Sequence, residues 1–248
     1  MDAIKRWSED WDLPINDEKC THVSFGGDSG NVFLLHNQGT TVDIPKNEVK
    51  KDLGIWLSSS LSFSHHHQLA AQRGYSVWSM IKRAFPRIDP EDFKTLFGVH
   101  VRPLLEYASQ VVHTGLCKDT QTLERVQRAA TKSVRGLRHL SYEDRLERLN
   151  LYPLDIRRLR GDLIFTYIMF SKGETEQFFI AGDGTSLRGQ NRKLFVPRVN
   201  TSSRQKFFSY RVVTPWNSLP SDIVNADSLR KFKSLLDAHL NLDNNKIG

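Results

Sequence analysis

The sequence predicts an α+β fold that is mostly helical: a small antiparallel sheet remnant, then a helical bundle, then a basic C-terminal extension. Three observations carry this. Residues 20–57 fall into short strand-like pieces separated by turn-forming glycines. From Phe63 to Phe170 the apolar residues recur every three or four positions, the period of a helix. Beyond Lys172 that period is lost, and residues 187–213 carry seven basic side chains and no acidic one. Boundaries near Ser60 and Lys172 divide the chain into residues 1–60, 61–172 and 173–248.

Taken in order, residues 1–12 read as a short amphipathic helix with Ile4, Trp7 and Trp11 on one face. Strands are expected at 20–25, 31–36, 41–44 and 51–57, with turns at Gly26-Gly27-Asp28 and Gly39. The first long helix aligns Ala70, Val77, Trp78, Ile81 and Phe85. Asp89-Pro90-Glu91-Asp92 opens the next, with a capping Asp, a first-turn proline and acids near the positive helix end. That helix spaces Phe93, Leu96, Phe97, Val101, Leu104, Leu105 and Ala108 on one side. Pro103 lies inside it and should kink it, because proline lacks an N–H and its ring strikes the carbonyl four residues back. A third helix from about Asp119 turns Leu123, Val126 and Ala130 inward. Ser141-Tyr142-Glu143-Asp144 has the form of a capping box, and Pro153 starts a longer helix through Phe170. Residues 193–196 and 207–213 are short strands or irregular pieces, residues 216–220 a tight turn around Trp216, and 228–240 the last helix.

Composition narrows the function classes. The net charge is +7, which suits a polyanionic partner but is weak evidence alone. No run of about 18 apolar residues suggests a membrane span, and no signal peptide or other targeting signal is evident, so a cytoplasmic or nuclear location is expected. Cys20 and Cys117 are too far apart for a disulfide framework or a cysteine-rich zinc site.

Candidate chemistry is sparse. Two-metal nucleotidyl transfer needs carboxylates converging on a pair of Mg²⁺ ions, whereas Asp10, Asp12, Asp17, Glu18 and Asp52 are scattered. His65-His66-His67 invites a metal reading, but neighbouring helical side chains diverge by about 100°. A solvated helix start is the plainer expectation. His113 and Cys117 lack further ligands and are read as structural. Gly26 to Gly30 lacks the lysine of a phosphate loop and reads as a hairpin turn. The basic residues say more. Arg125, Arg128, Lys132 and Arg135 share one helical face opposite Leu123, Val126 and Ala130. Arg157, Arg158 and Arg160 form a second cluster. Arg188, Arg192, Lys193, Arg198, Arg204, Lys206 and Arg211 form a third, interleaved with Phe195, Phe207, Phe208 and Tyr210. Basic residues among aromatics suit single strands or a heteroduplex. A solvated face is the bland reading of each cluster, and Phe195 and Phe208 are expected in the core.

Several strings resemble jockey-like non-LTR retrotransposon reverse transcriptases, in that family's order. Residues 7–20 resemble the segment after the active-site loop. Lys51-Asp52-Leu53-Gly54-Ile55-Trp56 resembles the primer-grip hairpin. Val101-Arg102-Pro103-Leu104-Leu105-Glu106-Tyr107 resembles the thumb helix, and residues 123–132 the helix after it. Residues 157–163 and Trp216-Asn217-Ser218-Leu219-Pro220 are further matches. The family's aromatic-Ala-Asp-Asp loop has no counterpart in the sequence. The resemblance therefore implies a primer–template-binding fragment of an RNA-directed DNA polymerase, inactive alone, with no catalytic residue and no cofactor of its own. Mg²⁺ would be needed by an intact polymerase. It implies RNA, DNA or an RNA–DNA heteroduplex as partner, Lys51 and the three arginine clusters as contacts, and Leu53, Gly54, Ile55 and Trp56 as the primer grip. A helical protein–protein interaction fragment and a transposon remnant without function are the alternative readings. Oligomeric state is left open.

Overall fold

The fold is α+β and mostly helical, as the periodicity requires. The computed structural model describes residues 2–27, 30–37, 40–182 and 192–244. They form two compact units, residues 1–66 and 67–248.

The first unit opens with helix α1 (Asp2–Asp10). Trp7 and Trp11 lie 6.4 Å apart, and both are exposed together with Ile4. Strands β1 (Leu34–Asn37) and β2 (Thr40–Asp43) pair as an antiparallel hairpin, Leu34 opposite Asp43. The strand expected at 20–25 is reduced to one parallel bridge, in which the His22 N–H donates to Pro45 O and the Asn47 N–H donates to His22 O. The segment 51–57 is not one strand. It reverses at Leu53-Gly54 between β3 (Val49–Asp52) and β4 (Ile55–Ser58), placing Lys51 opposite Trp56. Leu53 and Gly54 have φ of 44° and 82°, the pair of positive angles whose twist matches a two-residue hairpin. Leu53 is a poor residue for that conformation, so the residue pattern alone reads as one strand, although the string's resemblance to a primer-grip hairpin implies a reversal. The Trp56 indole packs edge-on against His65 at 5.3 Å.

Helix α2 (Ser64–Ala84) leads into the second unit, which has two cores. The first joins α2, α3 (Pro90–Leu96), α4 (Arg102–Glu106) and α6 (Cys117–Lys132), the short α5 (Ser109–Val112) lying between the last two. Phe93 and Phe97 stack at 5.0 Å, with Trp78 edge-on to both. Gly74 lets α2 close on this core: a Cβ there would meet Leu105 Cδ2 at 3.0 Å and Val126 Cγ1 at 3.2 Å. Asp89 precedes α3 as expected, and its N–H donates to the Asp92 carboxylate. Ser141 caps α7 (Tyr142–Leu149), its hydroxyl accepting from the Asp144 N–H at 3.1 Å.

The kink expected at Pro103 takes the form of a π turn over Phe97–Val101. Proline offers no N–H to the preceding turn, and the chain adapts by inserting a residue, so that the Arg102 N–H donates to Phe97 O. The helix also stops sooner than its apolar spacing suggested. Tyr107 is extended and Ala108 is left-handed with φ of 53° before α5 begins.

The second core is built on α8 (Leu154–Lys172), which begins after Pro153 and ends at Gly173 with φ of 73°. Against it lie α10 (Phe208–Arg211), α11 (Val213–Ser218), α12 (Ser221–Val224) and α13 (Leu229–Asn244), with α9 (Ser202–Gln205) preceding them. The aromatic of the expected tight turn sits in α11. Trp216 is fully buried, stacks on Phe170 at 5.1 Å, and donates its indole N–H to Arg192 O at 2.8 Å. The Asn217 amide accepts from the Leu194 N–H at 2.9 Å and donates to Leu194 O at 2.7 Å. One side chain thus satisfies both backbone groups of Leu194, whose sheet pairing among the described residues is a single bridge to Ala181.

Candidate nucleic-acid interface

Helix α6 separates its faces cleanly. Leu123, Val126 and Ala130 are fully buried, while Arg125, Arg128 and Lys132 are exposed. Arg135, expected on the same helical face, is exposed too but lies in the turn after the helix, which ends at Lys132 with Ser133 as its cap. Two interactions modify this stripe. The Arg128 guanidinium lies 3.9 Å over the Tyr142 ring, and Arg135 approaches Asp89 at 3.7 Å with both side chains largely exposed. Such an exposed pair offsets little charge. Tyr142 was missed as a site residue, because the sequence showed it only as part of a helix start. Its hydroxyl donates to Glu124, which also accepts the Leu154 N–H at 2.9 Å and so caps α8. Burial pushes the Glu124 carboxyl up, against the pull of its hydrogen bonds from Tyr142 and Leu154. Gln127 donates to Tyr142 and to Tyr152 O, each at 3.0 Å. A buried polar knot thus fixes the inner side of the helix that displays the cations.

The second arginine cluster points mostly inward. Arg157 grips Glu106, with Nη2 at 3.1 Å from Oε2, and Arg160 grips Asp237, with Nη2 at 2.9 Å from Oδ2. Arg158 is only 3% exposed, and its Nη1 faces His113 Nδ1 at 3.2 Å. These three were expected on a charged face. Instead they tie α8 to its neighbours, because their partners sit more than forty residues away.

The third cluster divides. Arg211 clamps Asp162 with two bonds of 2.8 and 3.1 Å and also donates to Lys206 O and Gln110 O. Arg192 donates to Val224 O. Lys193 is half-buried. Arg198 and Arg204 are exposed, and Arg204 reaches the Tyr210 hydroxyl at 3.0 Å. Lys206 is half-buried, its stem close to Gly115. Phe208 is in the core as expected, but Phe195 is 47% exposed, since the Asn217 pairing holds Leu194 inward and the next side chain turns outward. Phe207 is also exposed. Arg188 lies outside the described residues, as do parts of the glycine loops. Lys51 is exposed on β3, Leu53 and Gly54 are exposed at the hairpin turn, and Ile55 and Trp56 are half-buried.

His66 and His67 are buried rather than solvated, because α2 turns them toward protein, and His67 Nε2 lies 3.0 Å from Val112 O. Among the described residues no three His, Cys, Asp or Glu side chains converge on a metal position. Asp52 is exposed on the hairpin. The described residues also contain no helix long and apolar enough to cross a membrane.

His113 has a pH consequence. Burial first, then the neighbouring Arg158 and Arg211, push its pKa down from 6.5 to about 3. The unfolded chain takes up this proton near pH 6.5 while the folded chain waits until about 3. The stability tied to His113 is therefore complete above pH 6.5 and declines as pH falls through that window. His113→Asn keeps an acceptor for Arg158 but cannot titrate. Its urea midpoint should fall less than the wild type's between neutral pH and about pH 4.5. Equal falls would remove His113 as a source of acid sensitivity.

The chain is thus a mostly helical α+β protein with an ordered cationic stripe on one helix. Over 66 residues it is 36% identical to the RNA-directed DNA polymerase from mobile element jockey of Drosophila melanogaster. The match covers 27% of this chain and 7% of that polymerase, so the chain corresponds to only a small share of its relative's length. It supports a reverse-transcriptase-like relationship. No family model and no solved structure matches the chain.

Proposed function

We propose that this chain is a primer–template-binding piece of a non-LTR retrotransposon reverse transcriptase, and that it grips nucleic acid without polymerising it. The observation that carries this reading is the α6 stripe: Arg125, Arg128 and Lys132 exposed along a helix whose other face is locked into the core, with Arg135 exposed in the turn just beyond it. Cations at helical spacing can follow a phosphate backbone, and a rigid helix presents them at little entropic cost. In this reading the helices from α2 to α6 are the thumb, and the β3–β4 hairpin with Lys51 supports the primer end. Arg198 and Arg204, with exposed Phe195 and Phe207, add contacts to RNA or DNA. The relationship to the jockey polymerase supports nucleic acid as the partner class. The sequence lacks the aromatic-Ala-Asp-Asp loop, and an intact polymerase would bring its Mg²⁺-binding carboxylates from that loop.

Anisotropy with a labelled RNA–DNA heteroduplex tests this directly. Saturable binding at moderate salt is expected, reversed by unlabelled RNA or DNA. Failure to bind any of the three would leave the basic helix as a surface for an acidic protein.

A further inference from the structure

We infer that the cleft between α4 and the end of α7 is a binding site for a phosphate group, held by the guanidinium of Arg102. The cleft has a volume of about 250 Å³ and is lined by Phe93, Lys94, Gly98, Arg102, Asn150 and Leu151, among others. That is below the roughly 300–1,000 Å³ of a site for a drug-sized ligand, yet ample for one tetrahedral oxyanion.

Charge is the first argument. Arg102 is half-buried, and its guanidinium has no hydrogen bond or ion pair to any described residue. The nearby carboxylate, Glu106, gives both its oxygens to Arg157. Two guanidinium groups therefore share one carboxylate, and the surplus positive charge belongs to Arg102. Burial, with Arg157 beside it, pushes the Arg102 pKa down. An anion in the cleft would remove that strain.

Geometry is the second argument. The Arg102 guanidinium lies over Gly98, where an added Cβ would sit 3.6 Å from Nη2 and 3.7 Å from Cζ. Gly98 belongs to the π turn that precedes Pro103, so the feature that breaks the helix also shapes the floor under the guanidinium. A planar fork that a glycine lets approach the turn this closely is suited to two parallel bonds to a phosphate. Two polar groups complete the rim. Lys94 is exposed on α3, its ammonium 3.0 Å from Glu91. Asn150 is the left-handed cap of α7, with φ of 51°.

The site stands on residues other than those of the α6 stripe. Its ligand is a phosphate oxyanion, supplied by free phosphate or by a nucleic-acid backbone. ¹⁵N NMR of the full chain separates these, with inorganic phosphate and a phosphodiester dinucleotide titrated in parallel against chloride at matched ionic strength. Saturable shifts are expected at the Gly98 and Asn150 amides. They should be lost in Arg102→Gln and be about tenfold weaker in Arg102→Lys, which keeps the charge but not the fork. Shifts with both probes assign the site to the backbone, and shifts with inorganic phosphate alone assign it to the free ion. A variant lacking the α6 cations should keep these shifts, so this site and the α6 reading can fail separately. Absence of saturable shifts at Gly98 and Asn150 in the wild type, or their survival in Arg102→Gln, would overturn the assignment.

Discussion

Replacing Arg125, Arg128 and Lys132 together by glutamine is expected to weaken heteroduplex binding by about two to three orders of magnitude at roughly 0.1 M salt. Each phosphate contact contributes about −0.9 to the slope of log K against log salt, near tenfold in affinity at that salt. The triple variant should therefore flatten the slope by up to about three. Stability should change little, because all three side chains are exposed. The largest loss is that of Arg128 over Tyr142, about 0.5–1 kcal/mol for such a cation–π contact. An unchanged affinity in a folded variant would reduce the stripe to an ordinary solvated face.

The largest effect on stability is expected at Asp162. Asp162→Ala should cost about 3–5 kcal/mol, the range seen when one partner of a buried ion pair is removed. Arg211 would lose its bidentate acceptor while remaining part-buried, and Arg158 would still be enclosed nearby. The backbone acceptors of Arg211, on Gln110 and Lys206 among others, satisfy hydrogen bonds but not charge. Burial already pushes the Asp162 carboxyl up against the pull of Arg211 and Arg158, so the pair is held at some desolvation cost. It follows that Asp162→Leu combined with Arg211→Met should recover most of the loss. Urea midpoints of the single and double variants decide this. A cost below about 1 kcal/mol for Asp162→Ala would show that the pair does not tie α8 to α10.

Much of the helical part was legible because its signals are local. Asp89-Pro90, Ser141 and Pro153 mark helix starts within one turn of the observed ones, and the α6 faces follow from spacing alone. What could not be read depends on partners distant in sequence. Asp162 meets Arg211 across 49 residues, Glu106 meets Arg157 across 51, and Asn217 meets Leu194 across 23. A charged string such as Arg157-Arg158-Leu159-Arg160 looks like a binding face until its acceptors are located. Two of the strings read as resembling the retrotransposon family are joined by one of these bonds. Glu106 and Arg157 come one from each, and Asn217 holds the chain near Trp216. A folding role therefore accounts for these residues as well as a binding one does. The residue pattern alone hid the Leu53-Gly54 reversal, which only the family resemblance implied, and gave the kink before Pro103 without its π form: backbone angles there override what leucine, or an apolar helical run, would favour alone.

The central claim is that this fold binds nucleic acid through ordered cations. Its most direct test is the salt dependence of wild-type affinity for an RNA–DNA heteroduplex. The expected result is a linear fall of log K with log salt, with a slope of about −3 or steeper as at least three phosphates are neutralised. Affinity that does not change with salt, or no binding at about 0.1 M salt, would contradict it.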